Sequence, residues 1–288
     1  MNIIKISAAI LAMASTFALP PSASAQSRGK VLVVMSSAHE LDLRDGKKYA
    51  TGYYLNEFVV PYRKLVEAGY EPVIANPKGD LPVKDVNSNN KMFFGDDDAA
   101  RAEAEKYAQG VEQLKHPKTL ASVVAEGTSG YVGLFIPGGH APMADLLKDR
   151  NLGKILTSFH ETNRPTGIIC HGPVVLLSAL RDPDAFVASM IAGDGKANSL
   201  TAGWPYAGYR VTVFSTGEEQ QLEGPSGLGG NVQFYPVNAL AEAGAHVDTV
   251  ANWHSNVVVD RELITGQQPM SAPEFGDVLV KQLNARRR

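Results

Sequence analysis

Residues 166–177 read Thr-Gly-Ile-Ile-Cys-His-Gly-Pro-Val-Val-Leu-Leu, a short apolar run that passes through a Cys-His-Gly-Pro turn into a second apolar run. The first run ends at Ile169 and is typical of a strand buried on both faces of a parallel sheet. Pro173 favours a helix start, because the first turn of a helix does not use the N–H that proline lacks. The stretch therefore predicts a strand, a sharp turn at Cys170 and a helix from Val174 to Leu180, which is a building unit of a wound α/β sheet.

The same alternation of apolar strands and amphipathic helices extends from this stretch in both directions. Strands are predicted at 30–37, 71–75, 132–136, 209–215, 257–260 and 262–265, and helices at 52–68, 144–161, 237–243 and 271–283. Two irregular segments, at about 80–125 and 181–208, are predicted to be insertions. The pattern predicts one α/β domain over residues 26–288, with a doubly wound, mostly parallel sheet and helices on both faces.

The composition is that of an ordinary globular protein and excludes several classes. The chain has 288 residues, 44% of them hydrophobic, and its 27 basic and 30 acidic side chains give a net charge of −3. These proportions exclude a disordered chain and a coiled coil. Because the only basic run is the terminal Arg286–Arg288, the charge pattern does not indicate a nucleic-acid partner.

Metal ions and nucleotide cofactors are also not indicated. The single cysteine cannot supply the paired thiolates of a structural zinc site, and the histidines include no His-x-x-x-His pair. We interpret His140 and His254 as structural or pocket-lining residues rather than metal ligands. No Gly-x-Gly-x-x-Gly follows the first strand, which argues against a dinucleotide site. We therefore expect a protein that uses neither a metal nor a cofactor.

The first 25 residues have the layout of a secretory signal peptide. Lys5 is their only charge, an apolar stretch follows from Ile6 to Leu19, and small residues stand at Ala23 and Ala25. A retained membrane anchor is the alternative, but about 14 apolar residues fall short of the roughly 20 that span a bilayer. We expect cleavage after Ala25, a periplasmic or secreted protein, and no membrane attachment after cleavage.

Cys170 is the first candidate for chemistry, because a thiol at a strand-turn-helix elbow resembles the nucleophile position of hydrolases. The positive end of a helix dipole favours a thiolate, so we expect a lowered thiol pKa. The adjacent His171 can act as a general base or as a cation partner. The alternative is a buried, inert thiol, since free cysteines are among the most buried residues.

Glu57 is the second candidate, because it lies on a largely apolar face of the predicted helix at 52–68. Burial without a cation raises the pKa of a carboxyl, and a protonated carboxyl can donate a hydrogen bond to a thiolate or exchange protons with a substrate. A partly exposed glutamate is the alternative. Gly138 and Gly139 end a strand and can aim backbone N–H groups at an oxyanion, with the His171 N–H as a second donor, or they form a plain turn.

Together these motifs resemble the ThiJ/PfpI superfamily, which is class I glutamine amidotransferase-like. The segments that carry the resemblance are Phe135-Ile-Pro-Gly-Gly-His140, Ile169-Cys-His-Gly-Pro173, Gly52 through Glu57 to Pro61-Tyr62, and Leu263-Ile-Thr-Gly-Gln-Gln-Pro269. The resemblance covers nearly all of residues 30–283 and is greatest to the branch of cofactor-independent glyoxalases, the glyoxalase III type, that also act as holding chaperones. It implies a flavodoxin-like sheet.

The resemblance also implies roles for individual residues. Cys170 is expected to be the nucleophile, Glu57 the acid hydrogen-bonded to it, and His171 their neighbour. An acid after the strand at 209–215 orients the histidine in this branch; Glu219 fits that position better, and Glu218 is the alternative.

The activity implied is a glyoxalase or protein deglycase, which converts 2-oxoaldehydes such as methylglyoxal to 2-hydroxy acids without glutathione or metal. The expected partners are a small aldehyde or a glycated protein, and we expect a homodimer. Two other functions remain open: a holding chaperone, and a cysteine amidohydrolase or peptidase with Cys170, His171 and Glu219 as its triad.

Overall fold

The structure, a computed structural model, describes residues 27–286, so the predicted signal peptide lies outside the described part of the chain. The described strands, numbered in chain order, are β1 Lys30–Val34, β2 Glu40–Asp42, β3 Lys48–Ala50, β4 Glu71–Asn76, β5 Lys118–Thr119, β6 Tyr131–Ile136, β7 Thr166–Ile169, β8 Arg210–Val211, β9 His246–Val247, β10 Val257–Asp260 and β11 Leu263–Gly266. Seven of them form one sheet in the order β10-β11-β7-β6-β1-β4-β5.

The central sheet is parallel except at one edge. β1 lies between β4 and β6, and Leu32 of β1 pairs with Val73 and Leu134 in register. Among the described strands of this sheet only β10 runs antiparallel, as the first strand of a hairpin with β11. The predicted doubly wound, mostly parallel sheet is therefore confirmed.

Helices cover both faces of this sheet. They are α1 Leu55–Glu67, α2 Asp98–Gln109, α3 Leu120–Glu126, α4 Arg150–Glu161, α5 Pro183–Ala192, α6 Thr216–Leu222, α7 Pro236–Ala243 and α8 Ala272–Ala285. Successive β1 residues point to opposite faces, as in any strand. Val31 and Val33 pack in the layer of α1 and α8, whereas Leu32 and Val34 pack in the layer of α4. Burial on both faces explains why β1 is apolar at every position from 31 to 34.

Several predicted elements differ from the observed ones. The segment after Cys170 forms a 3-10 helix, Gly172–Ala179, rather than an α-helix; its residues from 172 to 178 are buried, so packing overrides helix propensity. The predicted strand at 209–215 shortens to β8. The helix predicted from Gly52 begins at Leu55, because the Tyr53 backbone is engaged outside the helix: its N–H donates to the Val83 carbonyl and its carbonyl accepts the Asp85 N–H.

The segment at about 80–125, predicted to be an insertion, contains α2, most of α3 and the edge strand β5, which pairs with β4. The second insertion, 181–208, contains α5. Among residues 27–286, no helix combines the length and the apolar character needed to cross a bilayer.

Candidate active site

Cys170 occupies a strained turn at the carboxyl end of β7. Its φ is +65°, a left-handed conformation that costs a non-glycine residue roughly 1–2 kcal/mol. The turn is held from both sides, because the Cys170 N–H donates to the Gly266 carbonyl at 2.8 Å and the Phe214 N–H donates to the Cys170 carbonyl at 2.9 Å. Backbone strain that the surrounding structure enforces is typical of functional residues. The thiol therefore lies at the apex of an elbow that joins β7 to the 3-10 helix.

The Glu57 carboxyl faces this thiol from the first turn of α1. Gly138 lies between them so tightly that a Cβ added to it would come within 2.5 Å of Glu57 Oε2 and closer still to Cys170 Cβ. The Glu57 side chain is fully buried, and within residues 27–286 neither oxygen has a hydrogen bond of full geometry. Burial raises the pKa of Glu57 to about 8, against the smaller opposing effects of the thiol and the Gly138 N–H.

Burial also raises the pKa of the Cys170 thiol well above its ordinary value, and the charge of the Glu57 carboxylate adds to this effect. The N–H groups of Gly139 and His171 point at the sulfur and oppose it. The expectation of a lowered thiol pKa is therefore wrong. It relied on an exposed thiol at an α-helix dipole, whereas the side chain is buried and the following helix is of the 3-10 type. The resting thiol keeps its proton until another group accepts it.

His171 connects the thiol to Glu219. Its Nδ1 lies 3.3 Å from Cys170 Sγ, and its Nε2 lies 2.7 Å from Glu219 Oε2. The Phe214 ring stacks on the imidazole with centroids 4.4 Å apart, which fixes the ring plane. Burial and the nearby His140 lower the pKa of His171 to about 4. His171 is therefore neutral at physiological pH and can accept the thiol proton.

Only one of the two adjacent glutamates after β8 takes part in this group. Glu218 caps α6, since the Ser215 N–H donates to its Oε2 at 2.9 Å while Ser215 Oγ accepts the Glu218 N–H at 3.1 Å. Its other oxygen accepts the Trp253 N–H at 2.7 Å. Glu219 points inward instead. Burial opposes its charge, but His140 and His171 outweigh this and hold the pKa of Glu219 far below its usual range.

The two glycines of the strand-end turn have different positions. The Gly139 N–H and the His171 N–H face the sulfur, whereas the Gly138 N–H faces Glu57. Gly139 has a φ of +97°, and a Cβ there would collide with the Gly52 carbonyl. The two donors that can receive an oxyanion formed next to the sulfur are thus those of Gly139 and His171.

Two further residues belong to the site and were not assigned to it from the sequence. His140 places its Nε2 2.8 Å from Glu219 Oε1 and stacks on the His171 ring. Tyr54 is half-buried, and burial together with Asp85 and Cys170 raises the pKa of its hydroxyl, which stays protonated. The only sequence signal for either was proximity: His140 follows Gly139 directly, and Tyr54 lies three residues before Glu57.

One group among the described residues has the residue types of a metal site, namely His140, His171 and Glu219. Each imidazole Nε2 already lies 2.7–2.8 Å from its own carboxylate oxygen, so hydrogen bonds satisfy the three side chains. We therefore describe this group as a hydrogen-bonded network.

The chain is similar to several known proteins. The model of the DJ-1/PfpI family matches residues 49–182. The protein named Protein/nucleic acid deglycase HchA of Staphylococcus aureus (strain Newman) is 28% identical to this chain over 258 residues, which span 88% of this chain and 80% of that protein.

Two solved structures share the fold. Glyoxalase III of Candida albicans is 22% identical, with a TM-score of 0.66, and the match covers 88% of this chain and 97% of that chain. Rapid Encystment Protein 24 KDa of Francisella tularensis is 24% identical, with a TM-score of 0.63, and the match covers 88% and 99% of the two chains.

Proposed function

We propose that this chain, which matches the DJ-1/PfpI family model over residues 49–182, is a glyoxalase or deglycase whose nucleophile is Cys170 and whose proton shuttle is Glu57. The observation that carries the proposal is the contact of the two side chains across Gly138. A buried carboxyl with no cation opposite it costs stability, so its position beside a thiol favours a chemical role. The S. aureus relative is named a deglycase, which supports the same activity.

The first step forms the nucleophile and adds it to the substrate. His171 Nδ1 takes the thiol proton, and Cys170 Sγ bonds to the aldehyde carbon, C1, of a 2-oxoaldehyde such as methylglyoxal. The carbonyl π bond breaks, and its electron pair becomes an oxyanion near the N–H groups of Gly139 and His171. His171 returns the proton to this oxygen, which gives a neutral hemithioacetal.

The second step moves hydrogen between adjacent carbons. Glu57, as a carboxylate, removes the C1 proton, and the electron pair forms a C1=C2 double bond, which leaves an enediolate with its negative charge on the C2 oxygen. Glu57 then returns the proton to C2, and the proton of the C1 hydroxyl passes to the C2 oxygen, which leaves a 2-hydroxy thioester on Cys170. C1 is oxidised and C2 is reduced within one molecule, so the step requires no external oxidant or reductant.

Water completes the cycle by hydrolysing the thioester, which releases the 2-hydroxy acid and restores the thiol. For methylglyoxal the product is lactate. Every atom and electron balances without glutathione, metal or other cofactor, and we propose that none takes part. With an early glycation adduct, a hemiaminal at C1, Cys170 Sγ would bond to C1 as the C1–N bond breaks and the protein amine leaves with a proton, which gives the same hemithioacetal and a repaired side chain.

The test is to incubate the protein with methylglyoxal in the absence of glutathione and to measure lactate. We expect Cys170→Ala and Glu57→Gln to lose activity by a factor of about 10³ or more. Glu112→Gln, a change at an exposed glutamate far from the site, is the control and should retain the native rate. An unchanged rate in Cys170→Ala would eliminate this mechanism. A cysteine amidohydrolase, by contrast, would tolerate Glu57→Gln, because its triad does not include Glu57.

Holding of unfolded proteins is a second candidate function, favoured by four exposed apolar side chains in the segment predicted to be the first insertion. Leu81, Val83, Val86 and Met92 are 59%, 40%, 72% and 42% exposed. Apolar side chains clustered on a surface are typical of binding sites for other proteins, and here unfolded client chains are the proposed partner.

We expect the double variant Leu81→Ser, Val86→Ser to lose suppression of client aggregation. Val259→Ser, at a 39% exposed position on β10, is the control and should retain it. Suppression that persists in Cys170→Ala but disappears in the double variant would separate holding from catalysis.

We further propose that the protein is exported and works as a homodimer. The apolar stretch from Ile6 to Leu19, followed by Ala23 and Ala25, supports export. Amino-terminal sequencing of the protein from a periplasmic fraction should give Gln26 first. Light scattering of the mature protein should give twice the chain mass.

A further inference from the structure

Glu219 is shared between two histidines. Its Oε2 lies 2.7 Å from His171 Nε2 and its Oε1 lies 2.8 Å from His140 Nε2, and all three side chains are buried. The two imidazole rings stack with centroids 3.9 Å apart and 38° between their planes. The proposed mechanism uses His171 and Glu219 but gives no role to His140.

This shared carboxylate determines which nitrogens carry protons. An ionised carboxylate only accepts hydrogen bonds, so both Nε2 atoms must be N–H donors. A neutral His171 therefore has no proton on Nδ1, the nitrogen that lies 3.3 Å from Cys170 Sγ. A cationic His171 would carry a proton on both nitrogens and would have no lone pair for the thiol proton.

The stacked rings hold one positive charge more readily than two, because like charges at this distance repel strongly in a buried site. The titratable groups around the two rings come from several elements: Glu219, Asp85, Tyr49 and Cys170 contact the rings or act on their charge, and Tyr54 and Glu57 lie on the other side of Cys170, on whose charge they act. Asp85 is buried, and its charge acts on His140. Besides Glu219 and the His140 ring, the groups beside His171 are the Cys170 thiol and the Phe214 ring.

We propose that His140 is a positioning residue that holds the single proton charge of the His140–Glu219–His171 group. In this way it keeps His171 neutral, with an Nδ1 that is free to accept the thiol proton. The inference rests on the proposed function in assigning the thiol proton to His171, but the protonation states of the two histidines exist whether or not the protein turns over an aldehyde.

The pKa directions of the two histidines agree with this geometry. Burial lowers the pKa of His140, but Glu219 and then Asp85 outweigh it and leave that pKa raised above its ordinary value. Burial and the charge on His140 lower the pKa of His171 to about 4, which Glu219 only partly offsets. The pKa values of the two rings are therefore shifted in opposite directions, although the rings share one carboxylate.

The test is the variant His140→Gln. The glutamine amide keeps an N–H donor for Glu219 but cannot take up an extra proton and become positively charged. The first readout is NMR of ¹⁵N-labelled histidine side chains between pH 5 and pH 8. In the native protein we expect His140 to carry two protons and His171 one, on Nε2, at pH 6. In His140→Gln we expect the pKa of His171 to rise by about one unit or more. His116→Gln, at an exposed position outside the network, is the control and should leave both signals unchanged.

The second readout is the ratio of variant to native kcat/KM with methylglyoxal. We expect this ratio to fall about twofold or more between pH 7.5 and pH 5, because a His171 pKa raised from about 4 by about one unit or more leaves about half or more of the variant protonated at pH 5. A purely structural role for His140 would lower the ratio equally at every pH.

Three results would overturn the inference. They are a doubly protonated His171 at pH 6 in the native protein, a His171 titration that does not move in His140→Gln, and loss of the native histidine signals on addition of a chelator, which would make the group a metal site. An inactive native protein with the expected NMR titrations would instead reject the proposed function and leave this inference standing.

Discussion

The Glu57 carboxyl and the Cys170 thiol meet in the space that a Cβ on Gly138 would occupy, in a buried site where, among residues 27–286, neither group has a cation beside it. Burial raises the pKa of both groups, so the pair does not carry two negative charges near neutral pH. The site therefore stores protons next to its nucleophile, and the following predictions depend on this property.

Gly138→Ala should abolish activity, because the added methyl group would overlap Cys170 Cβ and lie 2.5 Å from Glu57 Oε2. We expect kcat/KM to fall by a factor of about 10² or more, with a loss of about 1–3 kcal/mol in the free energy of unfolding from overpacking. Gly130→Ala is the matched control, since a Cβ there meets nothing within 4 Å. Native activity in Gly138→Ala would show that the two side chains need not touch.

Glu57→Gln should stabilise the protein, and more so as the pH rises. The pKa of Glu57 is raised from 4.5 to about 8 on folding, so the folded state binds more protons than the unfolded state between these values. The native protein therefore loses stability from pH 4.5 to pH 8, whereas the variant has no such group. Urea unfolding should show the stability advantage of the variant growing by about 2–4 kcal/mol between pH 5 and pH 8. A constant difference would mean that Glu57 is ionised throughout this range.

Alkylation of Cys170 by iodoacetamide should be slow at pH 7 and should accelerate steeply above it, because burial and Glu57 raise the thiol pKa. In Glu57→Gln the midpoint of the rate profile should move to lower pH, since the carboxylate charge is gone. As Cys170 is the single cysteine, loss of free thiol reports on it directly. A rate that is already maximal at pH 6 would contradict the prediction and restore the expectation of a low-pKa thiolate.

Glu219→Gln should mainly lower activity and Glu218→Gln should mainly lower stability, although the two residues are adjacent. Glu219→Gln removes the acceptor that orients His171, and kcat/KM should fall by about 10²–10⁴. Glu218→Gln weakens the cap of α6, so we expect activity within about threefold of native and a loss of about 1 kcal/mol in unfolding free energy. Equal losses of activity in the two variants would reject the assignment of Glu219.

The sequence was sufficient to predict the architecture and the nucleophile elbow for clear physical reasons. A strand buried on both faces must be apolar throughout, and this pattern located β1, β6 and β7 with errors of a few residues at their ends. Proline directly after Cys-His-Gly indicated the helix start at Gly172–Ala179, although not that this helix is of the 3-10 type. Local rules, in other words, identified the elements better than they described the packing between them.

The choice between Glu218 and Glu219 shows where sequence patterns stop being informative. Both residues lie in the first turn of α6, and spacing alone left the alternative open. The capping box with Ser215 turns Glu218 back onto its own helix, and this directs Glu219 to the histidines. The role of His140 could not be predicted for the same reason, because Glu219, its hydrogen-bond partner, lies on an element distant in the chain.

The sequence by itself determined the α/β class and the position of Cys170 at a turn, because both follow from hydrophobic periodicity and from the conformational limits of glycine and proline. Only the tertiary structure decided the protonation of the site. The pKa of a side chain depends on how far water is excluded and on which charges lie within a few ångströms, and Glu57, His140, Cys170 and Glu219 come together only when four separate segments fold against one another.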